Sequence, residues 1–144
     1  MNTISPPRFS AFVPGVIHNP SNGSHGHWSQ RHHWARVWRD RTLVAILHVR
    51  AIGRMGVDGF GPDYNPRRPK HITLLAQVGK RRFDKHDNLR SALKPVVDGL
   101  VRARVIHDDG DGCGHVFEYL QIFNKNAERG VRITVAEQEG GVSQ

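Results

Sequence analysis

One cysteine, Cys113, stands in 144 residues, so the chain can form no internal disulfide and a hydrophobic core must hold it together. No apolar run approaches the roughly 20 residues that cross a bilayer, which predicts a soluble protein with no membrane partner. The opening MNTISPPRF lacks the basic and then apolar pattern of a secretory leader. With the lone thiol, this predicts a reducing, cytoplasmic compartment. Repeats, low-complexity tracts and an internal linker are missing too, so a single domain is expected over residues 1–144, ordered from about 8 to about 137 with loose ends. Carboxylates are scarce, 13 against 21 lysines and arginines, giving a net charge of +8 and a pI near 10.6. That imbalance says little about fold but favours a polyanionic partner such as nucleic acid. Scarcity makes the placement of the acids informative: six of the 13 fall within RRFDKHDNLRSALKPVVDGLVRARVIHDDGDG, residues 81–112.

The remaining pattern predicts an α+β domain, a small mixed sheet of about four strands packed against two main helices. RFSAFVPGVI (8–17) suits a short strand anchored by Phe9, Phe12 and Val13 and punctuated by Pro14-Gly15. HNPSNGSHGHWSQ reads as a loop. From Trp28 to about Val49 a helical spacing places Arg31, Trp34, Trp38, Arg41 and Ala45 on one side, with the two tryptophans expected in the core. The Gly- and Pro-rich segment 53–70 is expected to be a long exposed loop. HITLLAQVG (71–79) reads as a buried strand ended by Gly79. HVFEYLQIF (115–123) and GVRITVAE (130–137), separated by NKNAERG, are expected to form a hairpin.

Within the acidic stretch, Asp87 is placed to start a helix whose buried face is Leu89, Leu93, Val96, Val97 and Leu100, continuing to about Arg104. Pro95 is expected to kink or restart it, since a proline there removes a backbone donor and clashes with the preceding turn. On an ideal helix Lys94 and Asp98 share Asp87's direction but lie roughly 10 and 16 Å along the axis, so Lys94 has an arm that reaches the same site and Asp98 cannot share an ion with Asp87. Asp84 lies on the preceding connection, and Asp108 and Asp109 must be brought in by the fold. Read singly, Asp87 is a helix cap, Asp98 a solvated side chain and DDGDG a turn. Read together, clustered carboxylates need a cation between them, and oxygen-only ligands suit magnesium, with manganese as a substitute. DDGDG is not an EF-hand loop, since the spacing fails after Gly112 and no Glu stands at the twelfth position.

DNL at 87–89, LKPVVDGL at 93–100, VI at 105–106 and DD at 108–109 resemble the RusA family of Holliday-junction resolvases, in particular its longer phage-type members. PG at 14–15 and NPSN…HWSQRHHWARVW resemble that family's approach to its first helix, so the likeness spans about residues 12–135. The resemblance implies a magnesium-dependent endodeoxyribonuclease that binds four-way DNA junctions as a homodimer and resolves them by paired nicks leaving 5'-phosphate ends, in recombination and repair. It assigns metal binding to Asp87 and to Asp109 with Asp108 beside it, and an assisting role to a lysine of the intervening helix. This chain departs from the motif in two places. Lys85 stands where D-x-D-N-L has its first aspartate, leaving Asp84 one residue further back as the substitute. Ser91 stands at the lysine position of short members; a three-residue insertion, nearly one helical turn, makes Lys94 the match. Arg90 is the next cation if it does not.

Arg31, Arg36, Arg39 and Arg41, then Arg67, Arg68 and Lys70, then Lys80, Arg81 and Arg82 are the candidate phosphate contacts, which give affinity without reading sequence. His25, His27, His32 and His33 raise a rival metal site, but a closed zinc site wants four ordered ligands and no cysteine is near; phosphate-facing or surface histidines are expected instead. Cys113 reads as an incidental thiol. No organic cofactor is expected. Two other functions compete with the nuclease: a catalytically inactive branched-DNA-binding protein of the same fold, kept open by Lys85, and a histidine-based metal-binding module.

Overall fold

The computed structural model describes residues 7–17, 28–53, 64–78 and 86–138, without the side chains of 7, 28–31, 53 and 86–88. Its elements follow the order β1 (Pro7–Pro14), α1 (Trp28–Gly53), β2 (Lys70–Val78), α2 (His86–Arg102), β3 (Val116–Phe123) and β4 (Gly130–Glu137). The fold is α+β, a four-stranded mixed sheet with two helices, as the sequence pattern predicts. No helix is long and apolar enough to cross a membrane among the described residues.

The strand order is β1-β4-β2-β3, with β4 antiparallel to both β1 and β2 and β3 parallel to β2. This corrects the expected hairpin between 115–123 and 130–137. The two strands are not neighbours; β2 lies between them. A parallel pair needs a crossover, and α2 supplies it between β2 and β3. The segment after β3 then passes the end of β2, where the Asn124 amide donates to the Val78 carbonyl at 3.1 Å, and β4 enters on the far side. Burial explains the choice. In β4, Val131, Ile133 and Val135 are completely buried, which suits a central strand, whereas β3 exposes Val116, Leu120 and Ile122 and takes the edge.

Register puts Ile72, Leu74 and Ala76 of β2, Val135, Ile133 and Val131 of β4, and Phe9, Ala11 and Val13 of β1 on one face. These join Leu89, Leu93, Val96, Val97 and Leu100 of α2 in the core, the buried face the sequence assigns to that helix. In α1 the innermost residues are Trp38, Thr42 and Ile46, spaced four apart. The expected stripe is therefore rotated. Ala45 is partly buried, but Trp34 is 38% exposed and Arg41 lies outside. The reason is Thr42, whose hydroxyl donates to the Trp38 carbonyl at 2.8 Å. It faces Gly99 of α2 so closely that a Cβ on that glycine would stand 2.9 Å from the Arg39 carbonyl oxygen and 2.7 Å from the Thr42 Cβ. Small residues, not the tryptophans, set the helix crossing.

α2 continues through Pro95 as one helix, so it does not restart there as the sequence allows. Ser91, whose carbonyl loses its helical partner to the proline, lies on the exposed side, where water can take that bond. The helix ends earlier than the expected Arg104. The Arg104 amide donates to the Val101 carbonyl at 3.1 Å and the Val105 amide to the Leu100 carbonyl at 3.0 Å, with Arg104 at a φ of 61°. This is a Schellman ending with an arginine in the left-handed position usually held by glycine, closed by the buried pair Leu100 and Val105. Arg104→Gly is expected to raise the unfolding free energy by about 0.5 kcal/mol, the relief of backbone strain exceeding the added chain entropy, whereas Arg104→Ala gives no gain. Urea unfolding of the two variants beside wild type checks this.

Candidate active site

The turn at Arg104 sends the chain back along α2, and a set of hydrogen bonds fixes where it arrives. Tyr64 donates its hydroxyl to the Val105 carbonyl at 2.6 Å, and the His107 amide donates to the Pro66 carbonyl at 3.2 Å. Segments 64–70 and 105–115 are thereby tied together at one end of the sheet. Asp109, half-buried, then meets Lys94 of α2, whose ammonium donates to its carboxylate. The same ammonium lies 3.1 Å from Asp98 Oδ1, four residues along the helix. The hydrogen bond to Asp109 is the main influence raising the Lys94 pKa, opposed by partial burial and aided by Asp98.

Beside this pair, the Arg90 guanidinium lies 5.8 Å from the ring centroid of Tyr119 on β3. Burial raises the Tyr119 pKa, with Arg90 and Lys94 opposing and Asp109 assisting. Arg90, Lys94 and Asp98 are spaced four apart, so one side of α2 carries two cations and an acid. Tyr119 was not singled out by the sequence reading. Its signal is the alternation in VFEYLQIF, which puts it on the helix-facing side with Phe117 and Gln121, opposite Leu74 in register.

Of the expected metal ligands, the structure brings Asp109 to Lys94 and leaves Asp108 exposed beside it. Asp84 lies outside the described residues, and of Asp87 only its place in the first turn of α2 is described. Asp98, separated from Asp87 by axial distance, is joined to the cluster through Lys94. No group of three potential ligands occurs among the described residues. Magnesium takes one or two carboxylates and keeps several waters, so Asp108 and Asp109 fit it in kind.

Among the expected phosphate contacts, Arg36, Arg41, Arg67 and Arg68 are exposed and Arg39 is half-buried. Lys80, Arg81 and Arg82 lie outside the described residues, and Arg31 is described only as part of α1. Lys70 is a correction. It is the first residue of β2, has no exposed surface, and donates to the Asn65 carbonyl at 2.7 Å, the Arg68 carbonyl at 3.0 Å and Glu137 Oε1 at 3.2 Å, so its ammonium is fully used inside the protein. His25 and His27 lie outside the described residues; His32 and His33 are exposed, and the His33 ring packs edge-on to Trp34 at 5.5 Å. No protein-family model matches this chain, and no curated protein matches it.

Two histidines missed by the sequence reading support the Asp109 loop. The Lys70 amide donates to His115 Nδ1 at 3.1 Å, which leaves the His115 proton on Nε2, 3.2 Å from His107 Nδ1. His107 Nδ1 also lies 3.2 Å from the Pro66 carbonyl, and with the His115 proton in this place it accepts rather than donates. Burial, then the neighbouring His107 and Lys70, lower the His115 pKa from 6.5 to about 4, with Asp108 opposing. The unfolded chain therefore takes up a proton at this residue before the folded one does. Stability is expected to fall as pH drops from about 6.5 to about 4, by at most about 1.4 kcal/mol per unit, and to owe nothing to His115 above that window. His115→Asn keeps an acceptor for the Lys70 amide and cannot titrate. Its urea-unfolding free energy should change less than that of wild type between about pH 7 and about pH 4.5.

The Lys94 pair behaves differently. Its lysine side chain is 57% exposed, and exposed ion pairs contribute about 1 kcal/mol or less. Lys94→Ala and Asp109→Asn are each expected to lower the unfolding free energy by less than about 1 kcal/mol, measured by urea unfolding at neutral pH. A larger loss in either would assign the pair to fold stability rather than to chemistry.

Proposed function

We propose that this chain is a magnesium-dependent endodeoxyribonuclease that resolves four-way DNA junctions by paired nicks, acting in recombination and repair as a cytoplasmic homodimer. One observation carries the reading: Lys94 and Asp109, 15 residues apart in sequence and assigned to one site by the resemblance to RusA resolvases, meet side chain to side chain. The net charge of +8 and the exposed arginines of α1 and of the 64–70 segment support a polyanionic substrate.

Asp109 and Asp108, with Asp87 and Asp84, would hold the magnesium ion, and manganese is its substitute. When bound, the ion supplies Lewis-acid charge at the phosphate and lowers the pKa of a coordinated water. Lys94 contributes a fixed positive charge where negative charge grows on the phosphoryl oxygens during attack by water. Asp98 holds the Lys94 ammonium from the other side and limits its rotation, making it a positioning residue. Product strands carry 5'-phosphates when the bond to the 3'-oxygen breaks. A two-fold dimer suits a junction whose opposed strands are related by near two-fold symmetry.

The rival reading is a branched-DNA-binding protein without cleavage. It is favoured by Lys85 in place of the motif's first aspartate. A labelled four-way junction incubated with the protein, with and without magnesium, separates the two. Nicking that requires magnesium is the expected result; retention of the junction without nicking supports the rival. Under saturating protein, Lys94→Ala should slow cleavage more than tenfold, about 1.4 kcal/mol of transition-state stabilisation, while Ser91→Ala leaves the rate unchanged. Asp109→Asn should abolish nicking and keep binding. A Lys94→Ala protein that cuts at the wild-type rate sinks the assignment of Lys94.

A further inference from the structure

We propose that Arg90 and Tyr119 form a phosphate-binding subsite for the DNA strand next to the Lys94–Asp109 pair. The proposal rests on the nuclease reading for its substrate, and it adds a site that neither the motif resemblance nor the acidic cluster assigns.

Arg90 is exposed on the first half of α2, one turn before Lys94. The four residues from Arg90 to Lys94 advance about 6 Å along the helix, close to the roughly 6.8 Å of two nucleotide steps on one strand. A strand with one phosphate at Lys94 therefore offers a neighbouring phosphate to Arg90. Tyr119 stands on β3, the edge of the sheet, so among the described residues no further strand closes the approach from that side. Its ring is half-buried against the core, which fixes the phenol, and its partner is the exposed guanidinium of Arg90.

The donor arithmetic decides the ligand. A guanidinium has only hydrogens to give and five of them, so Arg90, whose guanidinium carbon lies 5.8 Å from the Tyr119 ring centroid, accepts nothing from the phenol. The phenol therefore offers its own hydrogen to an acceptor from outside the pair. Burial raises the Tyr119 pKa, so that hydrogen is retained at neutral pH. The N–H groups of Arg90 and the O–H of Tyr119 thus present donors of one sign from two elements. That set matches the oxygens of a phosphodiester, which Arg binds by two parallel hydrogen bonds. Among the described residues Arg90 forms no ion pair with a carboxylate, in contrast to Lys94, which is held by Asp98 and Asp109.

The test measures the affinity of wild type, Arg90→Gln, Arg90→Lys and Tyr119→Phe for a labelled four-way junction over a range of salt in magnesium-free buffer, together with single-turnover cleavage in magnesium. Arg90→Gln should make the slope of log affinity against log salt shallower by about one unit. Arg90→Lys should restore the slope, since the charge returns, but not the full affinity, since the two-pronged geometry does not. Tyr119→Phe keeps the ring and its packing, leaves the slope unchanged and weakens binding about fivefold. A wild-type slope for Arg90→Gln, or wild-type affinity for Tyr119→Phe, overturns the subsite. Junction binding with these changes but without cleavage retains the subsite and rejects the nuclease. Cleavage with an unchanged Arg90→Gln slope rejects the subsite alone, and a wild type that binds no DNA rejects both.

Discussion

A lysine ammonium with no exposed surface organises the end of the sheet on which the candidate site depends. Removing such an ion from water costs several kcal/mol unless its donors are satisfied. Lys70 meets that condition with two carbonyls of its own approach segment and the carboxylate of Glu137, and it lies 4.6 Å from the centroid of the Tyr64 ring. Burial lowers its pKa, and the bond to Glu137 resists that shift. These partners tie together separate places in the chain. The carbonyls bend segment 64–70 around the amine, Glu137 ties in the last residue of β4, and the Lys70 backbone amide holds His115. Tyr64, positioned by the same cluster, anchors Val105. The loop bearing Asp108 and Asp109 is thus suspended between α2 and the Lys70 cluster, and Asp109 reaches Lys94 because both ends are fixed.

Most of the fold could be read from local pattern. The alternation in HITLLAQV and GVRITVAE and the three- and four-residue spacing of Leu89, Leu93, Val96, Val97 and Leu100 each report one buried face, and the structure buries those faces. Strand order could not be read this way. A hairpin and a crossover place the same residues in the same strands, and only the competition for the centre of the sheet, won by the completely buried β4, separates them. Lys70 illustrates a second limit. A lysine in a run of arginines and prolines resembles solvent-facing charge, because the carbonyls that satisfy it leave no mark in the side-chain pattern. Arg104 illustrates a third, since the left-handed ending it adopts is announced in most sequences by glycine.

The candidate site divides along the same line. The Lys94–Asp98 contact is an i,i+4 neighbourhood that any helix through both residues creates. The separation of Asp98 from Asp87 by helical rise is sound for a shared ion, yet it omits that one lysine can bridge an acid on its own helix to another from a distant loop. The Lys94–Asp109 contact follows from the tertiary path just described, and the Arg90–Tyr119 contact from the crossover that lays β3 beside β2. Only the motif resemblance joins Lys94 to Asp109 in sequence, and nothing in the sequence pattern joins Arg90 to Tyr119.

The concentration of acids in an otherwise basic chain now has a physical reading. Exposed pairs such as Lys94–Asp98 and Asp40–Arg102 contribute little to stability, so folding does not require the acids of this stretch to lie together. What the arrangement does accomplish is to hold Lys94 between two carboxylates, Asp98 and Asp109, in a chain whose net charge is +8. A carboxylate already paired with a lysine is a poor repeller of polyanions, and the pair is exposed enough to exchange partners. On the proposed reading, a phosphate drawn in by the net positive charge would compete with Asp109 for Lys94, and the carboxylate so released would then be free to hold a divalent cation. The salt bridge of the unliganded protein then holds both reacting charges in place before either of their ligands arrives.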